Sequence, residues 1–193
     1  MKLAAAAWMA VWFPTYVVLY GWANFLHWSD LSVVLTAIGL WTSSRLLLSS
    51  QALSSLLGDF VWCLDVFWQV VFGHHLIGGT EYLWQQQVPL WVRLLSFYHV
   101  LLPTVLCWSV IRLGYDRRGL ALQTGIGAAA LVAARRWGER DNINFAFRDP
   151  IFHRVWGPAP LHLLTVYAGT FVVYLVTHWA LVKFVPRRET AGQ

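Results

Sequence analysis

The sequence has few charged residues, and it lacks the alternating or short apolar stripes that a soluble core shows. Only 12% of its 193 residues are charged, whereas 58% are hydrophobic, and the mean hydropathy is +0.54. The apolar residues come in runs of about 20, which is the length needed to cross the hydrocarbon of a bilayer. The chain is therefore predicted to be a polytopic membrane protein and not a soluble domain.

Cysteine is scarce, and the histidines lack the spacing of metal ligands. Cys63 and Cys107 lie inside apolar runs and form no CxxC pair, which argues against a disulfide or redox motif and indicates small packing residues. The seven histidines form no HxxxH or HxxHH pattern, the spacing that membrane di-iron oxygenases need. No metal and no cofactor are therefore predicted.

The excess of basic residues is typical of either a nucleic-acid partner or a membrane partner. The net charge is +5 and the isoelectric point is about 9.6. The basic residues lie beside apolar runs, and 13 Trp and 7 Tyr supply the side chains that favour the headgroup level of a bilayer. The predicted partner is membrane lipid, and no nucleic acid is expected.

Six apolar runs predict an all-α bundle of six transmembrane helices, in one integral membrane domain covering residues 1–193. The predicted spans are residues 3–21, 30–48, 51–73, 90–114, 119–134 and 160–185. A turn at residues 49–50 is expected between the second and third spans, and residues 74–88 are polar enough to lie at the interface. In the fifth span, Gly125, Ala129 and Ala133 have the four-residue spacing that lets helices approach closely.

An even number of crossings places both chain ends on one side of the membrane. Near the helix ends, that side receives eight Lys and Arg residues and the other side six. The eight are Lys2, Arg45, Arg112, Arg117, Arg118, Lys183, Arg187 and Arg188. The positive-inside tendency therefore predicts cytoplasmic termini.

The fourth span carries one ionisable residue well inside it, His99, followed four residues later by Pro103. Ionisable groups inside spanning helices are rare and costly, so His99 indicates a functional site, the alternative being a hydrogen-bonded bridge between helices. Pro103 has no N–H, so it is expected to kink the helix and leave the carbonyl of His99 without its helical partner.

Asp65 is the acid predicted to meet His99. Counting about 1.5 Å per residue from the helix ends places His99 roughly 13 Å and Asp65 roughly 12 Å below the same surface, in adjacent helices. In that position Asp65 could orient and charge the ring, and Gln69 would extend the polar seam by one turn. Asp59 points about 120° away from Asp65 and is expected to pair with Arg45.

The connections after spans one, three and five share one face of a six-span bundle. The polar residues on this face are Asn24, His27, Ser29, Asp30, His74, His75, Asp141, Asn142, Asn144, His153 and His162. Ser29 and Asp30 have a second interpretation as caps of the following helix. Residues 141–144 are interpreted as turn chemistry, with a re-entrant lip over the site as the alternative.

Three short stretches resemble the six-span family of androgen-induced membrane proteins. They are residues 24–30 (NFLHWSD), residues 89–91 (PLW) and residues 98–103 (YHVLLP). Members of that family are intramembrane hydrolases of fatty-acid esters of hydroxy fatty acids. The chain also resembles short bacterial proteins described only as membrane-associated.

The resemblance implies that the family's histidine falls on His99 and its acidic residue on Asp30. The family's nucleophilic threonine falls on His27, and an imidazole cannot carry out the acyl chemistry of a hydroxyl in the same way. Ser29 is the nearest hydroxyl to that position in the sequence, two helix positions away and on a different side of the helix.

Two hypotheses from different classes follow. The first is an intramembrane hydrolase or acyl-transfer enzyme for a lipid ester, with His99 as general base, Asp65 or Asp30 orienting it, and Ser29 or Thr36 as nucleophile. Asn24, His27, Gln69, Asn142 and Asn144 would then line the binding site. The second is a non-enzymatic membrane protein that binds a lipid or small hydrophobic ligand, or a helix-bundle scaffold.

Overall fold

The computed structural model describes residues 1–185 and is all-helical over that range, which confirms the predicted all-α class. Arg187 and Arg188, which contribute to the predicted orientation, lie outside the described residues. The helices are α1 (Lys2–Tyr20), α2 (Trp28–Thr42), α3 (Arg45–Phe72), α4 (Leu90–Leu95), α5 (Tyr98–Leu113), α6 (Gly119–Trp137) and α7 (Ala159–Phe184). Short 3-10 segments occupy Trp22–Leu26, Glu81–Trp84 and Ile143–Phe145.

Four stretches are long and apolar enough to cross a membrane: α1, α3, the α4–α5 stretch Leu90–Leu113, and α7. The other two predicted spans are weaker in this respect. Helix α2 has 15 residues, so its axis is about 22 Å long, which is less than the hydrocarbon thickness of a bilayer. Helix α6 has 19 residues and ends on Arg135 and Arg136. The fold fits a membrane protein, and the crossings of α2 and α6 remain predictions.

The turn between α2 and α3 lies at Ser43 and Ser44, so the predicted turn at residues 49–50 is wrong. Ser43 adopts the left-handed conformation (φ 54°), and the Ser44 hydroxyl accepts the Leu47 N–H at 3.2 Å as the cap of α3. Ser49 and Ser50 are fully buried inside α3. Their small side chains let the start of α6 approach the α3 backbone closely.

Helix α3 is the centre of the bundle, because it packs against α2, α5, α6 and α7. Its antiparallel register with α2 is set by two contacts. The hydroxyls of Ser32 and Ser55 lie 2.9 Å apart, and Gly39 packs directly on the Leu48 side chain. This register places the start of α2 level with the middle of α3.

The helical hydrogen-bond pattern is interrupted before His99, between α4 and α5, and the kink expected at Pro103 stays a prediction. Backbone hydrogen bonds between residues three apart tighten the segment around Ser96, which separates α4 from α5, and the Ser96 hydroxyl lies 2.9 Å from that of Tyr16. Helix α5 then continues through Pro103. The carbonyl of His99, which Pro103 cannot reach with an N–H, accepts instead from the Cys63 thiol at 3.8 Å.

The face of α6 that packs on the bundle is not the one predicted. Gly125 and Ala129 are exposed, and a Cβ added at Gly125 would meet nothing within 4 Å. Gly127 is the close-packing residue, since a Cβ there would lie 2.8 Å from the Tyr174 hydroxyl oxygen. The Trp28 indole also donates to the Gly127 carbonyl at 3.0 Å, and these two contacts fix the rotation of α6.

Candidate functional site

The centre of the polar cluster is a pair formed by His99 and Asp59. The Nδ1 atom of His99 lies 2.7 Å from Oδ1 of Asp59, and the two residues are only 7% and 2% exposed. His99 stands in the first turn of α5, directly after the interruption at Ser96, and Asp59 stands midway along α3. The structure therefore gives His99 an acid partner, but not the predicted one.

The predicted pairing of Asp65 with His99 is wrong, because Asp65 is fully occupied by the connection after α3. Its Oδ1 accepts the backbone N–H groups of Leu76, Ile77 and Gly78 at 2.8, 2.7 and 3.0 Å. Its Oδ2 accepts from the Thr80 hydroxyl and lies 2.9 Å from Nδ1 of His75. Asp65 thus anchors a loop.

The predicted pairing of Asp65 with His99 requires neighbouring helices to end at the same height, and they do not. The loop after α3 folds back along that helix to reach Asp65, which lies seven residues, or about 10 Å, below Phe72. The chain consequently enters α4 and α5 at a lower level, and His99 meets a residue two turns deeper than Asp65.

The predicted pairing of Asp59 with Arg45 is also wrong. These residues are 14 positions apart on α3, which corresponds to about 21 Å along the axis. The Arg45 guanidinium donates to the carbonyl of Tyr115 at 2.9 Å and so ties α3 to the connection before α6. Asp59 is left with His99 as its only ionisable partner, and its Oδ2 is buried without a hydrogen bond among residues 1–185.

Two aromatic rings flank the imidazole of His99. Trp62 stacks on it with ring centroids 4.5 Å apart and planes 17° apart, and the Tyr98 ring stacks at 4.2 Å and 29°. The Trp62 indole donates to the Tyr82 hydroxyl at 3.2 Å, so the connection after α3 reaches the site. Within residues 1–185, no side chain or backbone group hydrogen-bonds to Nε2 of His99.

Asp30 belongs to the same cluster through Tyr98. The Tyr98 hydroxyl donates to Oδ1 of Asp30 at 2.6 Å, and the Asn24 amide donates to Oδ2 at 2.5 Å. Asp30 is 4% exposed and lies in the first turn of α2, where an acid suits the positive end of the helix dipole. The structure therefore brings Asn24, Asp30 and His99 together, with Asp30 bound to donors on both oxygens.

The amides of Asn142 and Asn144 bond to the chain itself, in line with the turn interpretation. The Asn144 side chain donates to the Leu26 carbonyl at 2.7 Å and accepts the Trp28 N–H at 2.9 Å, so it caps α2 from a distant loop. Asn142 bonds the backbone of its own loop at Phe147 and Arg148. Both asparagines have positive φ, 47° and 52°, which this residue type tolerates.

The remaining predicted residues differ in placement. His27 is largely buried next to α2. Burial lowers its pKa to about 4, although the nearby charge of Asp141 acts to raise it.

Neither Ser29 nor Thr36 has a side-chain hydrogen bond among residues 1–185. The α2–α3 register places Thr36 about 12 Å along the axis from the level of Asp59, so Thr36, predicted as a nucleophile for His99, lies at a different depth from the His99–Asp59 pair. The side-chain amide oxygen of Gln69, Oε1, is buried and has no hydrogen-bond partner among residues 1–185.

Comparison with known proteins gives no relative from which a function could be inferred. The chain matches no protein-family model, no curated protein and no solved structure. The sequence resemblance is therefore neither supported nor opposed, and each residue's role has to be argued from its contacts.

Sequence reasoning missed Asp59, Tyr98 and Trp62 as members of the cluster. A signal for Asp59 was present, because Gln51, Ser55 and Asp59 recur every fourth residue and so form a polar stripe on one helix face. Trp62 carried no such signal, because a tryptophan in an apolar run is ordinarily a packing or interface residue.

In this cluster the Asp59 carboxylate holds the imidazole of His99 at Nδ1, and Nε2 has no hydrogen bond among residues 1–185. That arrangement suits proton transfer, and no hydroxyl of residues 1–185 is hydrogen-bonded to the ring as a nucleophile would be. In the same part of the chain, no group of three His, Cys, Asp or Glu side chains gathers as metal ligands. Two surface grooves lie elsewhere, between α1 and α2 and on the outer face of α6.

Proposed function

We propose that this chain is a six-span membrane protein that hydrolyses a lipid ester inside the bilayer, with His99 as general base and Asp59 as the residue that orients it. The observation that carries this proposal is the 2.7 Å contact between His99 Nδ1 and Asp59 Oδ1, with Nε2 left unbonded. The proposed setting is a bacterial inner membrane, with both termini in the cytoplasm.

Asp59 gives His99 the protonation state that a base requires. A hydrogen bond from Nδ1–H to the carboxylate fixes the tautomer that leaves the Nε2 lone pair free, and the carboxylate then stabilises the imidazolium formed when Nε2 takes a proton. Trp62 and Tyr98 stack on the imidazole, which limits how far the plane of the ring can tilt.

Water is the nucleophile in this proposal, because no hydroxyl of residues 1–185 is hydrogen-bonded to the ring. Nε2 takes a proton from water as the oxygen attacks the ester carbonyl. The tetrahedral intermediate then collapses, the C–O bond to the alcohol breaks, and Nε2 returns the proton to the leaving oxygen. The products are a fatty acid and an alcohol, and Asp59 remains ionised throughout.

The test is ester hydrolysis by the full chain in liposomes that contain a fluorogenic long-chain acyl ester. His99→Ala and Asp59→Asn are expected to lower the rate by a factor of about 10² to 10⁴, the usual contribution of a general base and its orienting acid. Glu139→Gln is the control, since Glu139 is exposed in the connection after α6 and its side chain has no hydrogen bond among residues 1–185, and it should retain hydrolysis. Absence of hydrolysis by the wild type, or equal rates for wild type and His99→Ala, would refute the proposal.

A second candidate is a non-enzymatic role in which the cluster joins helices around a bound lipid. Two observations favour this role. No hydroxyl of residues 1–185 is hydrogen-bonded to the His99 ring, and both oxygens of Asp30 already accept hydrogen bonds. In this case His99→Ala lowers thermal stability and the amount of co-purifying lipid, and no ester is consumed by any variant.

A further inference from the structure

The face of α3 that carries Asp59 continues as a line of buried polar side chains toward the start of that helix. Gln51, Ser55 and Asp59 are spaced four residues apart and are each 1–2% exposed. Side chains at this spacing lie one above another on one face of a helix. A polar line of this kind is unusual in the centre of an apolar bundle and calls for a physical explanation.

Helix α2 adds polar side chains from across its interface with α3. Ser32 and Thr36, which are 0% and 2% exposed, are also four residues apart, and Ser32 bonds Ser55 across the helix interface. The α2–α3 register places Thr36 level with Gln51. We name these five residues, Ser32, Thr36, Gln51, Ser55 and Asp59, the polar column.

Two atoms of the polar column are buried without a hydrogen-bond partner among residues 1–185. They are Oδ2 of Asp59 and Oγ1 of Thr36. A buried polar atom without a partner is costly, and such atoms are commonly satisfied by ordered water. The two atoms lie on opposite sides of the Ser32–Ser55 pair, each about one turn, or ~6 Å, along the axis, which is close to the span of one water with two hydrogen bonds.

The lower end of the polar column is connected to the end of the bundle by further polar contacts. The Gln51 amide donates to the Ser50 hydroxyl at 2.9 Å and to the Gln123 carbonyl oxygen at 3.3 Å. Two residues before Gln51, on a different face of α3, the Ser49 hydroxyl accepts the N–H of Asp116 at 2.9 Å, in the connection between α5 and α6. Buried polar groups therefore occur at several levels of α3, from this connection up to the His99–Asp59 pair.

We propose that the polar column binds a file of water molecules that links the α5–α6 connection to Asp59 and His99. The water file itself follows from the unpartnered atoms and the register. Its purpose rests on the proposed function, because hydrolysis within a bilayer consumes water that the hydrocarbon does not supply. Ser32, Ser55 and Thr36 would be positioning residues for that water.

Silver ions test this proposal, because Ag⁺ is small enough to follow water and reacts with thiols. The full chain with Cys63→Ala and Cys107→Ala is reconstituted in liposomes with Thr36→Cys or Leu53→Cys as the single thiol. Leu53 is the matched control, since it is 0% exposed on α3 but lies outside the polar column. After exposure to silver nitrate on both sides, the protein is denatured and its free thiols are counted by maleimide mass tagging.

Thr36→Cys is expected to lose its free thiol and Leu53→Cys to retain it. Ser55→Cys replaces Thr36→Cys if the latter does not fold. Equal retention of thiol in the column variants and in Leu53→Cys overturns the water file. The readout needs no turnover, so silver access without any ester hydrolysis would refute the proposed function alone, and hydrolysis with protected column thiols would refute the column alone.

Discussion

At the scale of single residues, the buried aspartates differ in how many donors surround them. Asp65 accepts from three backbone N–H groups and a hydroxyl, and Asp30 accepts from Tyr98 and Asn24. Asp59 is hydrogen-bonded to His99 through Oδ1, and its Oδ2 has no hydrogen bond among residues 1–185. Because a carboxylate held by many donors has its charge and position fixed, Asp59 is the aspartate best able to respond when its partner gains or loses a proton.

We expect His27 to make the folded protein less stable at acidic pH. Burial lowers its pKa from 6.5 to about 4, so the unfolded chain binds a proton more readily than the folded chain between these two values. The stability is therefore complete above about pH 6.5 and is lost as the pH falls toward 4, with a loss of about 2 kcal/mol between pH 7 and pH 5.

Thermal unfolding in detergent as a function of pH measures this effect. His27→Gln should flatten the dependence of the melting temperature between pH 7 and pH 5, because glutamine takes up no proton. His74→Gln, at an exposed position, is the control and should keep the wild-type dependence. An unchanged pH dependence in His27→Gln would show that the ring is protonated as easily in the folded as in the unfolded chain.

At the scale of helices, the existence of most elements follows from apolar runs, but their ends and rotations depend on individual contacts. The α2–α3 turn was misplaced because serines serve both as helix caps, as at Ser44, and as small buried residues, as at Ser49. The depth of Asp65 was misjudged because a loop that folds back along its helix leaves no trace in hydropathy. Pairings such as His99 with Asp59 depend on that depth and were beyond sequence reasoning.

The rotation of α6 predicts opposite effects for two glycines on the same helix. Gly127→Ala places a Cβ 2.8 Å from the Tyr174 hydroxyl oxygen, so it should destabilise the protein by about 1–3 kcal/mol through overpacking. Gly125→Ala meets nothing within 4 Å and should stabilise by up to about 1 kcal/mol, since alanine favours the helix. Thermal unfolding of both variants in the same detergent checks this, and destabilisation by Gly125→Ala alone would mean that α6 is rotated differently.

At the scale of the whole molecule, α2 and α6 decide how many times the chain crosses the membrane. Helix α2 is short, but it pairs with α3 in an antiparallel register, and its N-terminus is met by Asn144 from the connection after α6. Helix α6 packs on both α3 and α7, which are long and apolar enough to cross. Helices α2 and α6, packed against spanning helices in this way, are expected to complete a six-span arrangement.

Thiol labelling of intact cells distinguishes six crossings from four. In a chain with Cys63→Ala and Cys107→Ala, six crossings place Ser43→Cys and Arg117→Cys in the cytoplasm and Ile151→Cys outside. A membrane-impermeant maleimide should therefore label Ile151→Cys in intact cells, and the other two only after permeabilisation. If α2 and α6 do not cross, Ser43→Cys and Arg117→Cys move to the outside, where Ser43→Cys shares its side with the connection between α1 and α2, and Ile151→Cys stays outside. Labelling of Ser43→Cys and Ile151→Cys from the same side would exclude the six-span arrangement and, with it, the shared face on which the loops meet His99.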